Sequence, residues 1–216
     1  MKYQAVIFDF DGTLLDTLRD LAESVNSVLN RSGFPGHSLE AYRHFVGEGI
    51  EELARRVVPE GHRDEATITR TLTDVREEYR QRWPNHTRPY EGIPELLDAL
   101  TARRVKMAIV TNKPDDSTRT MAAKLLPKWK FDAIVGATSD LPRKPDPKGA
   151  VEAARRLHLP PESFLYMGDS DIDMKTANAA GMYAVGVLWG FRTADELVKN
   201  GAKVLIRKPL ELLDLL

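Results

Sequence analysis

The pattern of apolar and polar positions divides this 216-residue chain into two kinds of segment. Between residues 15 and 88, apolar side chains recur every three or four positions, which is the spacing of helices with one buried face. In residues 14–31, for example, Leu18, Leu21 and Val25 fall on one face. The pattern predicts further helices from Ser38 or Leu39 onward, over residues 50–58 and over residues 64–83. We therefore expect residues 15–88 to contain helices only.

Outside this stretch, short apolar runs alternate with helical patterns. The apolar runs predict strands over residues 5–8, 106–111, 131–135, 164–167, 183–188 and 203–206. The helical patterns cover residues 93–104, 117–126, 147–157, 172–180, 193–199 and 210–216. Strands that alternate with helices indicate an α/β fold, in which a parallel, Rossmann-like sheet is covered by helices on both faces.

The all-helical stretch lies between the first and second predicted strands, so we interpret it as an insertion into the α/β fold. The predicted domains are a discontinuous core, residues 1–14 and 89–216, and an all-helical cap domain, residues 15–88. Ligands of open α/β sheets bind at the carboxyl ends of the strands, and we expect the cap to cover that edge.

The composition excludes several classes of protein. The formal net charge of −1 leaves no electrostatic basis for binding nucleic acid, and no apolar run approaches the length of a membrane span. The absence of cysteine excludes disulfides, thiolate catalysis and cysteine-ligated zinc. We expect a cytoplasmic monomer or homodimer with no nucleic-acid and no membrane partner.

Two carboxylates follow the first predicted strand directly. Asp9 and Asp11 come after an apolar run, and Gly12 and Thr13 come next. Burying two acids at a strand end is costly unless something compensates their charge, and a hard divalent cation with oxygen ligands would do so. The alternative for such a short motif is a polar strand end that leads into a turn.

Polar residues also follow three later strands. Thr111 and Asn112 come at the entry to a helix, where backbone amides favour an anion. Lys144 stands between prolines that restrict its backbone, and Asp169 and Asp173 crowd a turn between a strand and a helix. Each feature has an ordinary alternative: a cap or turn for the threonine, a solvated lysine, and acids that interact with the helix dipole.

The string D-x-D-G-T-L-x-D over residues 9–16, with the lysine and the later G-D-x-x-x-D motif, resembles the haloacid dehalogenase superfamily of phosphohydrolases. This resemblance implies that Asp9 is the nucleophile and that Asp11 is the general acid and base. It also implies that Thr111 and the amide of Asn112 hold phosphate oxygens, and that Lys144 pairs with the nucleophile and the phosphoryl group.

The same resemblance implies a magnesium cofactor and a cap of the C1 type. Asp9, Asp169 and the backbone carbonyl of Asp11 match the ligands of Mg²⁺. Asp173 matches an acid that acts on the metal through water or orients the site. The chemistry implied is hydrolysis of a phosphate monoester through an aspartyl-phosphate intermediate.

One segment of the predicted cap suggests a substrate. Residues 46–56 are similar to the V-G-x-G-x-x-x-L-x-x-R stretch of phosphoglycolate phosphatases, so 2-phosphoglycolate is the leading candidate among small phosphorylated metabolites. Gly47 and Gly49 would bring backbone amides close to a small anion, and Arg56 would bind a carboxylate. The alternative is a helix N-terminus followed by a solvated arginine.

Other functions of the same superfamily stay open. A phosphomutase uses the same core and nucleophile, and inorganic pyrophosphatases share the segments that suggest the substrate. A non-catalytic binding or regulatory module is a remote alternative, since all six polar residues of the core motifs are present. A dehalogenase is less expected still, because that branch does not need an acid at Asp11.

Overall fold

The computed structural model of the protein describes residues 2–216 and contains two compact units. One unit comprises the chain up to Leu15 together with Pro89–Leu216, and the other comprises Asp16–Arg88. The strands are β1 (Ala5–Phe8), β2 (Leu15–Asp16), β3 (Arg88–Pro89), β4 (Lys106–Pro114), β5 (Ala133–Ala137), β6 (Phe164–Gly168), β7 (Tyr183–Val187) and β8 (Val204–Ile206). The α-helices are α1 (Leu18–Arg31), α2 (Leu39–Phe45), α3 (Ile50–Val57), α4 (Glu65–Arg82), α5 (Ile93–Ala102), α6 (Asp115–Leu125), α7 (Lys148–Leu157), α8 (Asp171–Ala179) and α9 (Ala194–Lys199). Short 3₁₀ helices cover Glu60–His62, Pro161–Ser163 and Pro209–Leu215.

The larger unit contains a six-stranded sheet in the order β5-β4-β1-β6-β7-β8, and every recorded pair is parallel. Counted within this sheet alone, the order is 3-2-1-4-5-6, the Rossmann order. The predicted α/β fold with a parallel, Rossmann-like sheet and a helical insertion is therefore confirmed. The chain reverses its direction of winding at β1, and such a reversal is where ligands of this fold class bind.

The register of the central strands determines which residues lie at the reversal point beside β1. Phe8 is level with Ile109 on β4 and with Met167 on β6. Residues that follow these three positions therefore lie toward the same edge of the sheet, the edge at the carboxyl ends of its strands. All four residues of β1 are fully buried, which matches a strand covered on both faces.

Small side chains allow helices to approach one face of the sheet closely. On α7, Ala150, Ala153 and Ala154 are buried in the same apolar cluster as Val110 and Val135, and the helix packs against β4 and β5. Alanine brings a helix backbone near a strand at no cost in side-chain entropy. This packing fixes the helix whose first turn follows the Lys144 loop.

The smaller unit is helical, and its longest helices, α1 and α4, pack against each other. Val25 and Leu29 on α1 and Val75 and Tyr79 on α4 are buried. The helix predicted over residues 64–83 therefore has one buried face, as the spacing of its apolar residues indicates. Among residues 2–216, no helix is both long and apolar enough to cross a bilayer.

Several predicted boundaries are wrong. The first helix begins at Leu18, not at residue 14, because the amides of Leu14 and Leu15 both donate to the carbonyl of Phe10 in a tight turn. The expectation that residues 15–88 are only helical is also wrong, since β2 pairs with β3. Strand β4 continues to Pro114, β5 begins two residues later than predicted, and the last segment is a 3₁₀ helix.

Candidate active site

Three buried carboxylates meet at the edge where β1 and β6 end. Asp9 follows β1, and its amide donates to the carbonyl of Met167 at 2.9 Å. Asp169 follows β6, and Asp173 lies in the first turn of α8. Oxygens of these three acids lie within 4.8 Å of one another. The parallel register thus brings together residues that are 160 positions apart in the chain.

One lysine lies among these acids. The Nζ atom of Lys144 is 2.7 Å from Oδ1 of Asp9 and 2.7 Å from Oδ1 of Asp173, and its side chain is 4% exposed. The side chain of Asn112 fixes the backbone of this lysine, since it accepts from the amide of Lys144 at 2.8 Å and donates to its carbonyl at 3.1 Å. Asn112 therefore has a contact that the sequence prediction did not include.

The charges of this cluster do not balance. Burial, followed by the charge of Asp173, raises the pKa of Asp9 to about 8, although Lys144 opposes the shift. Burial and the charge of Asp173 likewise raise the pKa of Asp169 to about 7. Burial alone would lower the pKa of Lys144, but the neighbouring carboxylates hold it well above its usual range. Three acids around one ammonium leave an excess of negative charge.

This excess fits a divalent cation. Oδ1 of Asp9 contacts the ammonium of Lys144, and oxygens of the other two buried acids lie within 4.8 Å. Several carboxylate oxygens this close together are the donor set that hard cations bind. Asp9, Asp169 and Asp173 are therefore suited to hold such an ion.

The carboxylate of Asp169 is held in place by its neighbours. It accepts hydrogen bonds from the Thr13 hydroxyl at 2.9 Å and from the Phe191 amide at 2.8 Å. Gly12, with a φ of +85°, and Gly190 approach it so closely that a Cβ atom at either position would collide with the carboxylate. The two glycines leave room for the acid, and the two donors fix its orientation.

Asp173 is oriented by a capping box at the start of α8. Its Oδ2 accepts from the amide of Ser170 at 3.0 Å and from the Ser170 hydroxyl at 2.6 Å, and Ser170 caps the helix in return. The other oxygen, Oδ1, remains for Lys144. The cap of the helix and the position of the lysine are thus coupled through one side chain.

A second lysine, absent from the sequence predictions, contacts Asp11. The Nζ atom of Lys113 is 3.1 Å from each carboxylate oxygen of Asp11. The amide of Lys113 donates to the hydroxyl of Thr111 at 3.2 Å, and Thr111 is buried. The only sequence signal for this contact is the lysine that follows Thr-Asn near the end of a strand.

The remaining predicted site residues belong to the helical unit. Gly47 and Gly49 have φ values of +130° and +98°, a backbone region that favours glycine, and Gly49 caps α3. Arg56 donates to Glu52 at 3.1 Å, to the carbonyl of His44 at 3.3 Å and to Glu48. The guanidinium is therefore engaged by carboxylates of its own unit.

Comparison with known proteins points to one family. The sequence model of the haloacid dehalogenase-like hydrolase family matches residues 6–187. A phosphoglycolate phosphatase from Nitrosospira multiformis is 35% identical over 196 residues, which are 88% of this chain and 86% of that protein. A phosphoglycolate phosphatase from Chromobacterium violaceum is 31% identical over 216 residues, 99% of this chain and 96% of that protein.

Solved structures have the same fold. A crystal structure from Lactobacillus delbrueckii subsp. bulgaricus superposes with a TM-score of 0.92 at 31% identity, covering 98% of this chain and 97% of the other. A haloacid dehalogenase-like hydrolase from Streptococcus pneumoniae has a TM-score of 0.89 at 24% identity, covering 99% and 98% of the two chains. The likeness extends over both units of the chain.

Proposed function

Because this chain belongs to the haloacid dehalogenase-like hydrolases, we propose that it is a magnesium-dependent phosphatase that hydrolyses 2-phosphoglycolate through an aspartyl-phosphate intermediate. The observation that carries this proposal is the buried cluster of Asp9, Lys144, Asp169 and Asp173 at the end of β1. A carboxylate beside an ammonium, in a site suited to a cation, is equipped to accept a phosphoryl group.

In the first step, an oxygen of Asp9 attacks phosphorus, and the bond between phosphorus and the ester oxygen breaks. Asp11 gives its proton to the departing oxygen. In the second step, Asp11 takes a proton from water as that water attacks the phosphorus of the aspartyl phosphate. Inorganic phosphate leaves, and Asp9 is restored.

The transferring oxygens carry negative charge that the protein must offset. The ammonium of Lys144 already faces the nucleophile at 2.7 Å, so it is positioned for an oxygen of the phosphoryl group. We assign further contacts to the Thr111 hydroxyl and the Asn112 amide. Because the Asn112 side chain holds the backbone of Lys144, this residue would also keep the lysine in position.

The residues that would hold magnesium are Asp9, Asp169 and the backbone carbonyl of Asp11, with Asp173 acting through water. When bound, the ion supplies positive charge that reduces the repulsion between a carboxylate nucleophile and a phosphate. Asp169 would serve this role without reorientation, since Thr13 and Phe191 already fix its carboxylate.

The choice of 2-phosphoglycolate follows the names of the relatives and the similarity of residues 46–56 to phosphoglycolate phosphatases. Arg56, Gly47 and Gly49 stay predicted substrate contacts. The cytoplasmic location, the monomeric or homodimeric state and the boundaries of the cap also stay predictions from the sequence.

A panel of phosphate esters tests the substrate. We expect 2-phosphoglycolate to be hydrolysed with a kcat/KM at least about tenfold above that of sugar phosphates, nucleotides and pyrophosphate. Activity should require Mg²⁺ and disappear with a chelator. Release of phosphate without a bisphosphate primer would exclude the phosphomutase, and preference for pyrophosphate would favour the pyrophosphatase instead.

Asp9→Asn tests the nucleophile. The amide cannot attack phosphorus, so we expect turnover to fall by at least about 10³-fold while the circular dichroism spectrum is unchanged. Asp171→Asn is the matched control, because Asp171, at the start of α8, pairs with Lys175 of the same helix at an exposed position and has no assigned role. Normal turnover by the Asp9 variant would contradict the proposal.

A further inference from the structure

Lys113 is a mostly buried cation for which the chemistry above has no role. Its side chain is 7% exposed, and its ammonium lies the same distance, 3.1 Å, from both oxygens of Asp11. Withdrawing a lysine ammonium from water and fixing its long side chain costs free energy. The contrast is Lys130 of the same unit, whose side chain is 87% exposed.

The strand determines where this ammonium lies. Lys113 is two residues beyond Thr111 in the last part of β4, where the register with β5 shifts between Val110 and Pro114. The amide of Lys113 also donates to the hydroxyl of Thr111. The lysine thus connects the residue assigned to the phosphoryl oxygens with the residue assigned to proton transfer.

The two lysines of the site face different carboxylates. Lys144 contacts Asp9 and Asp173, at the nucleophile, whereas Lys113 contacts Asp11. Since Asp11 exchanges its proton with the departing oxygen, the leaving group must lie against Asp11. The ammonium of Lys113 is therefore on the side of the leaving group, where a phosphate bound at Lys144 does not need it.

We infer that Lys113 is a specificity-determining residue, which selects phosphate esters whose leaving group carries a carboxylate near the ester oxygen. The inference rests on the proposed function, because that function locates the leaving group at Asp11. In 2-phosphoglycolate, one methylene separates the ester oxygen from the carboxylate carbon. An ammonium in contact with Asp11 can therefore reach the carboxylate while Asp11 reaches the ester oxygen.

The contacts of Arg56 support this assignment. Arg56 is the cation that the sequence suggests for a substrate carboxylate, but its guanidinium donates to Glu48 and Glu52. A substrate carboxylate would have to compete there with two carboxylates of the same helical unit. The carboxylate that Lys113 contacts, in contrast, belongs to Asp11, which itself acts on the substrate in the proposed mechanism.

The test compares two substrates that differ in charge at the leaving group. We would measure kcat/KM for 2-phosphoglycolate and for ethyl phosphate, whose leaving group has the same number of carbons and no charge. Lys113→Met should lower the value for 2-phosphoglycolate about 10- to 100-fold more than the value for ethyl phosphate. An effect of the variant through Asp11 alone would not lower the value for 2-phosphoglycolate more, because ethanol is the less acidic leaving group and depends at least as strongly on the general acid. A selective loss for 2-phosphoglycolate therefore reports recognition of its carboxylate.

Three further variants complete the design. Lys113→Gln keeps a hydrogen-bond donor for Asp11 and loses the charge, so it should show the same selective loss if the methionine variant does not fold. Lys113→Arg keeps the charge and should retain most of the preference. Lys130→Met, at an exposed lysine, should leave both values unchanged.

The possible failures are distinguishable. Equal losses for both substrates, or loss of the preference in Arg56→Met and not in the Lys113 variants, would overturn the role of Lys113 and leave the phosphatase intact. A wild-type enzyme without preference for 2-phosphoglycolate would overturn both this role and the substrate. A wild-type enzyme that hydrolyses neither ester would contradict the proposed function itself.

Discussion

Asp20 is a fully buried carboxylate that has no part in the proposed chemistry. It accepts hydrogen bonds from the amides of His86 and Thr87, at 2.9 and 2.7 Å, and from the Thr87 hydroxyl at 2.8 Å. Oxygens or nitrogens of Asp20, Glu23 and His86 lie close enough to hold a metal ion. The donors around Asp20 already satisfy its carboxylate, so its role is to tie α1 to the segment before β3.

Removing this carboxylate should destabilise the helical unit. We expect Asp20→Ala to lower the free energy of unfolding by about 2–4 kcal/mol, because the buried amide and hydroxyl of Thr87 and the partly buried amide of His86 lose their acceptor. Denaturant unfolding would measure the change. Glu60→Ala, at a side chain that is 92% exposed, is the control and should change stability little. Equal stability of the two variants would mean that water replaces the carboxylate at no cost.

Two helices of the larger unit begin with the same capping box but differ in what the box holds. Ser170 and Asp173 start α8, and Thr193 and Glu196 start α9. The acid of the first box also contacts Lys144, whereas the hydrogen bonds of Glu196 to Thr193 are at an exposed position. Each capping box stabilises the start of its own helix, but of these two boxes only the one at α8 also orients a residue of the candidate active site.

This difference gives a paired prediction. Ser170→Ala and Thr193→Ala should each lower stability by about 1 kcal/mol, since each removes an N-cap. Only Ser170→Ala should lower kcat, by roughly tenfold, because Asp173 loses a hydrogen bond that orients it toward Lys144. Thermal unfolding and steady-state kinetics on the same preparations would separate the effects. A similar kcat in both variants would show that Asp173 does not depend on its cap.

The elements also show how far the sequence alone can predict this protein. Buried parallel strands leave continuous apolar runs, so the sheet and the order of the motifs at its edge could be predicted. Strands β2 and β3 could not, because two residues carry no periodicity. Leu14 and Leu15 fit a helical pattern, but they are buried as part of the turn that contains Gly12, before the first helix begins.

Contacts between distant residues form the other part that the sequence does not disclose. Lys113 and Asp11 are 102 positions apart, and Asn112 and Lys144 are 32 positions apart. No spacing rule relates such pairs, since only the register of the sheet brings them together. A sequence motif identifies the acids of the site, but the three-dimensional fold determines which lysine contacts which acid.

For the molecule as a whole, the buried acids make stability depend on pH. The pKa values of Asp9 and Asp169 rise from 3.8 to about 8 and about 7 on folding, so the folded protein holds these protons more tightly than the unfolded chain. Their contribution to stability is complete below about pH 4 and is lost as the pH rises through about 7 to 8. A cation that binds the ionised acids should offset this loss.

We therefore expect Mg²⁺ to raise the melting temperature more at about pH 8.5 than at about pH 6, because protons compete with the ion at the lower pH. Thermal unfolding with Mg²⁺ or with a chelator would measure the increment at each pH. Asp169→Asn should remove most of the increment at both values, while Asp171→Asn should keep it. An increment that does not change with pH would mean that the ion binds elsewhere.

The short pairing of β2 with β3 has a consequence for how the chain can vary. The helical insertion enters through Leu15–Asp16 and leaves through Arg88–Pro89, and these strands are hydrogen-bonded to each other. Its two ends therefore meet, whatever the length of chain between them. The entropic cost of connecting β1 to β4 therefore depends on this junction and not on the length of the insertion. A longer, shorter or foreign insertion could be grafted here without changing the spacing of the strands in the sheet.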